Sequence, residues 1–363
     1  MNTLSIEEES IEYLKSGISI NTKLGCKMGC KYCIVSEFQT KIQKTFTPEE
    51  LVENLLISRF FDSKIPLLIN NRSEPLSPTL KKDTLNILKI LKERGIQNKK
   101  IIISKLPLGE IDYSSLKDNN VYLFRTISGM PTSVEPFSTQ SNLQKILKEN
   151  LLLRKETDVK IIHYWRPLVR GLNTFPAGLE KLLTEIIPCF DASVISGIRL
   201  TQRLKKIMEN LGADLSDWDN DINHKFLPAD LLENIIELKN KINESYQLFR
   251  HTSCAISSLE KKPDYNMHYT KEKNKSTCQN CYNKSVCYFS TLSVNIPVLK
   301  TCFQKLKKSF DFEIINDTVH ILSPIYQDEI SFIKQTTHYN IKADSVLKSG
   351  SERVINVNKV SSH

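Results

Sequence analysis

Short apolar segments of strand length alternate with amphipathic segments from the start of the chain to about residue 210. Six apolar runs have the length and composition of buried strands, at 18–21, 66–69, 100–104, 121–126, 159–165 and 194–200. Right-handed crossovers through helices make successive strands parallel. The order therefore predicts an α/β fold, a (β/α)6 series that curls into part of a barrel.

Capping signals mark the intervening helices. Thr47 and Glu50 form a capping box for a helix that ends near residue 61, and Ser77 with Pro78 opens the next, which Gly95 ends. Further helices are predicted at 138–149, 177–187, 201–210, 228–243, 299–308 and 328–336, a helical turn at 112–117, and strands at 246–252 and 318–322.

Three of the nine cysteines lie together after the first predicted strand. Cys26, Cys30 and Cys33 stand in the sequence C-K-M-G-C-K-Y-C. Three thiolates on one loop can hold three irons of a 4Fe–4S cluster and leave the fourth iron open to a small molecule. A structural zinc site usually needs four ligands, and this loop offers three. Ligands of parallel α/β sheets bind at the carboxyl ends of strands, where this loop is expected.

The C-x3-C-x2-C spacing, with Tyr32 before the last cysteine, resembles the radical S-adenosylmethionine (SAM) superfamily. The resemblance implies a partial (β/α)6 barrel and a 4Fe–4S cluster on these cysteines. It also implies reductive cleavage of SAM to a 5′-deoxyadenosyl radical, which abstracts hydrogen from a substrate. The electron would come from a donor such as flavodoxin or ferredoxin.

The second predicted strand is followed by a partial match to the family's Gly-Gly-Glu-Pro sequence. Glu74 and Pro75 match, and Arg72 and Ser73 replace the two glycines. Asn71 could take the left-handed turn conformation that this loop needs. The resemblance implies that the Glu74 carboxylate binds the methionine amino group of SAM.

Other expected SAM contacts lie at or near the ends of later strands. They are Tyr32, Ser104, Arg125, Ser128, Arg166 and Val169. Arg166 is the first candidate for the methionine carboxylate and Arg125 the second, because a guanidinium matches a carboxylate bidentately. The alternative for each residue is an ordinary polar group at a strand end.

A second cysteine group follows the predicted barrel and consists of Cys254, Cys278, Cys281 and Cys287. Four thiolates can enclose Zn²⁺ or a 4Fe–4S cluster. The C-x2-C-x5-C spacing resembles the SPASM and twitch auxiliary-cluster domains of radical SAM enzymes. Thr291 and Phe249 stand where the fuller SPASM pattern has a cysteine and a glycine, so one auxiliary 4Fe–4S cluster is expected rather than two. His163, His224, His251 and His268 lack metal-ligand spacing and are assigned no chemistry.

The charge and hydropathy of the sequence limit the expected partners and the expected cellular location. The net charge is +9, and residues 260–310 hold ten lysines and three acidic residues. Nucleic acid is a possible partner but is not favoured, because no aromatic-basic recognition motif accompanies the lysines. The first ten residues are acidic and no apolar run reaches membrane-span length, so we expect neither a secretory signal nor membrane insertion. Nine cysteines then indicate a reducing compartment and a cytoplasmic enzyme.

We divide the chain into a lead-in at 1–16, the barrel at 17–245, an auxiliary-cluster region at 246–290 and a small α/β segment at 291–363. The predicted function is an oxidation or cross-link of a peptide or small molecule, assisted by the auxiliary cluster. One alternative is a radical SAM enzyme acting on nucleic acid or a nucleotide, like spore photoproduct lyase, which shares the three-cysteine spacing. The other is a non-enzymatic zinc-binding interaction protein.

Overall fold

The computed structural model describes residues 10–14, 16–34, 43–44, 46–109, 113–219, 225–268, 281–288 and 293–347. The strands are β1 (Ile11–Leu14), β2 (Gly17–Ile20), β3 (Lys23–Leu24), β4 (Gln43–Lys44), β5 (Leu67–Ile69), β6 (Lys100–Ser104), β7 (Val121–Thr126), β8 (Lys160–Leu168), β9 (Ala192–Gly197), β10 (Leu248–Phe249), β11 (Phe312–Ile315), β12 (Thr318–Ile321), β13 (Ile325–Tyr326), β14 (Asn340–Ala343) and β15 (Val346–Leu347). The helices are α1 (Pro48–Leu56), α2 (Lys81–Glu93), α3 (Gln140–Glu156), α4 (Pro176–Ile186), α5 (Gln202–Asn210), α6 (Ala229–Ile242), α7 (Thr252–Leu259), α8 (Lys284–Tyr288), α9 (Ile296–Lys305) and α10 (Gln327–Thr337).

An eight-stranded sheet organises the described part of the chain, in the order β1-β2-β5-β6-β7-β8-β9-β10. Strand β1 is antiparallel to β2, and every other neighbouring pair is parallel. This confirms the predicted α/β class with a large parallel sheet. The edge strand β1 was not predicted. It forms because Tyr13 stacks on Phe60 at 4.8 Å between ring centres and donates its hydroxyl to Gln335 Oε1 at 2.8 Å.

The predicted strands all have counterparts, and β6 and β7 match at both ends. Strand β8 continues to Leu168 through a register irregularity that begins at Trp165. Strand β9 ends at Gly197, earlier than predicted, because Ile198 pairs with Phe226 instead. A Cβ on Gly197 would lie 1.5 Å from the Phe226 carbonyl oxygen, so only glycine allows this approach.

The predicted helices also form, with shifted ends. The capping box of α1 is confirmed by bonds in both directions between Thr47 and Glu50. Helix α1 ends at Leu56 rather than near residue 61. Phe60 lies beyond the end of the helix and is fully buried in the core. Helix α2 starts at Lys81 because residues 77–80 form a separate turn.

Side chains alternate between two faces of the sheet. On one, here called the helix face, Leu67, Leu123, Trp165 and Ile195 pack in one core with α1 to α4. The other, the opposite face, is covered by α7 and Tyr265. Its buried side chains are Leu68, Ile101, Tyr122, Phe124, Ile162, Tyr164, Ala192, Val194 and Phe249. The C-terminal segment 293–347 packs into the helix-face core through Phe303 and Phe332.

The fully buried His163 predicts a pH dependence of stability. Its ring nitrogens lie 3.0 Å from Ser193 Oγ and 2.9 Å from the Ile127 carbonyl oxygen. Burial lowers the pKa of His163 to about 4. The unfolded chain binds a proton below about pH 6.5 while the folded chain does not, so stability is lost as the pH falls. We expect wild type to lose about 2 kcal/mol from this histidine between pH 7 and pH 5.

Urea unfolding of wild type and His163→Asn at the two pH values checks this. The variant should show the smaller difference between pH values. Equal pH dependence in both proteins would show that His163 does not carry the effect.

Candidate functional site at the carboxyl edge of the sheet

The three-cysteine loop follows β2 and β3, as expected. Gly25 and Gly29 have positive φ angles of 94° and 71°, which let the chain turn just before Cys26 and again just before Cys30. Ser73 Oγ donates to the Gly25 carbonyl oxygen at 2.6 Å. The Lys31 amide donates to the Val134 carbonyl oxygen at 2.9 Å. The loop is therefore fixed between the end of β5 and the segment that follows β7.

The loop thiols fit a metal centre better than free acid–base groups. Cys30 is 7% exposed, and Cys26 and Cys33 are partly buried. Burial raises the pKa of Cys30 to about 12, although the nearby Lys105 charge opposes it, and burial also raises the pKa of Cys26. Such thiols stay protonated at neutral pH unless a metal binds them, because coordination deprotonates a thiol. Soft thiolate donors suit an iron–sulfur cluster.

Glu74 lies buried beside this loop, where the ends of β5 and β6 meet. Its carboxylate accepts from Ser104 Oγ, from the Lys105 amide at 3.1 Å and from the Leu76 amide at 3.3 Å. Burial raises the pKa of this carboxyl. The left-handed residue of the preceding turn is Asn70, with φ of 52°, and not Asn71 as predicted. Asn70 Oδ1 accepts from the Thr22 amide at 2.9 Å and so joins this turn to the segment that follows β2.

Glu135 is a functional candidate that the sequence analysis missed. Its carboxylate, 2% exposed, accepts from Tyr32 Oη at 2.5 Å, Ser128 Oγ at 2.6 Å and Lys105 Nζ at 3.0 Å. Lys105 also donates to Tyr32 Oη at 2.6 Å. Two predicted SAM contacts, Tyr32 and Ser128, are therefore joined through one carboxylate and one ammonium. Burial, and then the Glu135 charge, raise the pKa of Tyr32.

Arg125 does not fit the role of a SAM carboxylate ligand. Its guanidinium is fully buried, donates to Glu149 Oε2 at 3.0 Å and donates to the Leu106 carbonyl oxygen at 2.7 Å. Glu149 also accepts from the amides of Leu108 and Gly109. This pair ties the loop after β6 to α3, so we leave Arg125 out of the proposed contacts.

Arg166, near the end of β8, has different surroundings from Arg125. It is partly buried, its Cζ lies 4.1 Å from the Tyr164 ring centre, and none of the ion pairs among described residues includes it. Burial acts to raise the pKa of Tyr164, but the charges of Arg166 and Lys225 outweigh it and lower that pKa. Burial and the charges of Arg166, Arg199 and Arg250 lower the pKa of Lys225. Arg166, Arg199, Lys225 and Arg250 therefore form a cationic group near the ends of β8, β9 and β10.

Val169 belongs to a turn that returns toward the Tyr32 network. Its amide donates to Asn173 Oδ1 at 2.8 Å. Asn173 Nδ2 donates to the Ser128 carbonyl oxygen at 2.6 Å. A pocket of about 280 Å³ lies beside this turn and is lined in part by Lys105, Ser128, Glu135 and Asn173. The pocket therefore adjoins the proposed SAM contacts, although the three cysteines do not line it.

The second cysteine group is only partly described. Cys278 lies outside the described residues. Cys254 and Cys281 pack against the opposite face of the sheet, and Cys287 Sγ accepts from the Asp264 amide at 3.4 Å. Asp264 and His268 join Cys254, with one ligand atom from each within 4.8 Å of the others. His268 was assigned no chemistry from the sequence, and the structure places it beside Cys254 and Asp264.

Comparisons with known proteins do not show a family. No family model matches the sequence, and no curated protein matches it. Among solved structures, a mutant of spore photoproduct lyase is 12% identical, with a TM-score of 0.48 over 68% of this chain and 79% of that one. Spore photoproduct lyase complexed with dinucleoside spore photoproduct is 13% identical, with a TM-score of 0.46 over 68% and 79%. SuiB from Streptococcus suis is 12% identical, with a TM-score of 0.42 over 69% and 53%.

Of the helices in the described ranges, none combines the length and apolar character that crossing a bilayer requires.

Proposed function

We propose that the protein is a radical SAM enzyme, which binds a 4Fe–4S cluster through Cys26, Cys30 and Cys33. One observation carries the proposal: the three-cysteine loop lies at the carboxyl edge of a parallel sheet, directly after its first parallel strand. Parallel α/β sheets bind their ligands at this edge. The proposal includes the partial (β/α)6 barrel, with the opposite face of the sheet as its interior.

The cluster, when bound, supplies the electron that cleaves the sulfonium of SAM and the open iron that chelates its methionine part. The protein positions the rest of the molecule. Glu74 would accept from the methionine amino group, and Arg166 would pair with the carboxylate. Tyr32, Ser104, Ser128 and Val169 complete the proposed contacts. Glu135 and Lys105 orient Tyr32 and Ser128 by the hydrogen bonds described above.

The substrate is proposed to be a peptide or small molecule that undergoes oxidation or cross-linking in a reducing, cytoplasmic setting. With Arg166 assigned to SAM, its cationic neighbours Lys225, Arg199 and Arg250 support a substrate that carries a carboxylate or phosphate close to the reacting carbon. In this arrangement the anion would anchor the substrate at the carboxyl ends of β8 to β10. An external flavodoxin or ferredoxin would supply the electron.

A second 4Fe–4S cluster on Cys254, Cys278, Cys281 and Cys287 remains a prediction. Its SPASM-like role would be to accept an electron from the substrate or to anchor it. Wild-type protein with both clusters would hold about eight irons per chain. Zinc at this position would give about four irons and one zinc ion.

Anaerobic reconstitution with iron and sulfide tests the main proposal. The reconstituted protein, mixed with dithionite and SAM, should form 5′-deoxyadenosine even without substrate. Zinc without iron in protein that cleaves no SAM would support the interaction-protein alternative instead. Retention of DNA that weakens steeply with salt would favour the nucleic-acid alternative, because phosphate contacts release counterions.

A further inference from the structure

A thiol, a carboxylate and an imidazole meet on the opposite face of the sheet, away from the three-cysteine loop. Cys254 lies on α7, while Asp264 and His268 lie on the segment that follows it. One ligand atom of each residue lies within 4.8 Å of the ligand atoms of the other two. Metal–ligand bonds of about 2.0–2.3 Å keep two ligands of one ion within about 4.6 Å of each other. The three side chains therefore need only a small adjustment to hold a single ion.

The imidazole is already held in one orientation. Asp264 Oδ2 lies 2.8 Å from His268 Nδ1 and accepts from the His268 amide at 2.8 Å. The His251 ring stacks on the His268 ring, with centres 3.9 Å apart and planes 6° apart. Metal-binding histidines are oriented in this way by neighbouring groups. An ordinary Asp–His ion pair would explain the carboxylate and the imidazole but not the convergent thiol of Cys254.

A second thiol, that of Cys287, lies beside this group but is not one of the ligand atoms within 4.8 Å of each other. Cys287 Sγ accepts from the Asp264 amide at 3.4 Å and lies 3.5 Å from Asn283 Nδ2. Amide donors at a sulfur stabilise the thiolate that a metal requires. Thiolate, imidazole and carboxylate together form a donor set that zinc accepts in four-coordinate sites. This set differs from the all-thiolate group predicted from the sequence.

We propose that Cys254, Asp264 and His268 bind one divalent ion, Zn²⁺ by the chemistry of the donors, and that Cys287 moves in as the fourth ligand when the ion binds. The site is independent of the three-cysteine loop, because it needs neither iron nor SAM, and it takes the place of the predicted second 4Fe–4S cluster. Tyr164 Oη lies 3.4 Å from Thr252 Oγ1 at the start of α7. The ion would thus fasten α7 and the following segment over the opposite face of the sheet.

Metal analysis of full-length variants tests the site. In the C26A/C30A/C33A background, which lacks the loop ligands, we expect about one zinc ion per chain. D264N and H268Q should each lose most of this zinc. C281S should retain it, because Cys281 is not a ligand in the proposed site. H251Q is the matched control, since it removes a ring that stacks on His268 but supplies no ligand atom, and it too should retain the zinc.

The four-thiolate alternative gives the reverse pattern. About four irons per chain that are lost in C281S and kept in H268Q would overturn the proposal. If the variants fold poorly, Co²⁺ titration of chelator-treated C26A/C30A/C33A protein decides instead. Binding of one Co²⁺ with thiolate charge-transfer absorption supports the site, and absence of that absorption overturns it. SAM cleavage by wild type is a separate measurement, so failure of one proposal leaves the other testable.

Discussion

Replacing Cys26, Cys30 and Cys33 together with alanine is expected to remove about four irons per chain and to abolish 5′-deoxyadenosine formation. In the proposed mechanism, SAM binds an iron that no protein side chain coordinates. The other three irons must then be held by these three thiolates. Iron and sulfide analysis of anaerobically reconstituted protein, with chromatography of the nucleoside product, measures both effects.

A matched control separates loss of the cluster from general loss of cysteine. Cys189 is 6% exposed and packs in the helix-face core, outside both cysteine groups. C189A should therefore keep its iron and its cleavage activity, at some cost in stability from the vacated volume. Full SAM cleavage by the triple loop variant would contradict the radical SAM proposal.

Much of the fold follows from local pattern. Strand β7 is buried throughout and β6 at all residues but Ile103, so their ends could be predicted to the residue, and the α1 capping box is a purely local signal. Strand β1 escaped prediction because its burial depends on Phe60 and on Gln335, which lies more than three hundred residues away. Long-range contacts of this kind leave no periodic signature.

The candidate site, like the fold, was predicted only in part. Cysteine spacing indicated the loop, whereas Glu135 lies in a turn with no motif and takes its role only from the fold. Asp264 and His268 follow Cys254 by ten and fourteen residues, a spacing that differs from the common zinc-ligand patterns. These ligands become recognisable only when α7 and the next segment fold against one another.

Arg125 and Arg166 show how contacts in the fold separate two candidates that are equivalent in the sequence. Both stand near the carboxyl end of a parallel strand, so sequence position alone does not separate them. Arg125 follows Phe124 of the opposite face and therefore points to the helix face, where Glu149 binds it. Arg166 lies in the irregular part of β8, and its guanidinium contacts the ring of Tyr164, which lies on the opposite face. The contacts of the two arginines thus favour Arg166 as the carboxylate ligand.

Glu74→Gln and Arg166→Met are each expected to weaken SAM binding at least tenfold while leaving the iron content unchanged. Each change removes one charge-assisted hydrogen bond to the methionine part, worth about 1.5–3 kcal/mol. If the two losses add, the double variant should bind SAM more than about a hundredfold more weakly. Equilibrium binding of SAM to reconstituted protein, with iron analysis of the same samples, measures this.

Arg170→Met provides the matched control for Arg166→Met. Arg170 lies four residues further along the same turn, and its guanidinium pairs with Asp230 at 2.6 Å on the protein surface. Its replacement removes the same charge from the same segment, so SAM affinity should stay close to that of wild type. If Glu74→Gln and Arg166→Met also keep wild-type affinity, the two residues do not bind SAM, and the methionine part must be held by other groups around the three-cysteine loop.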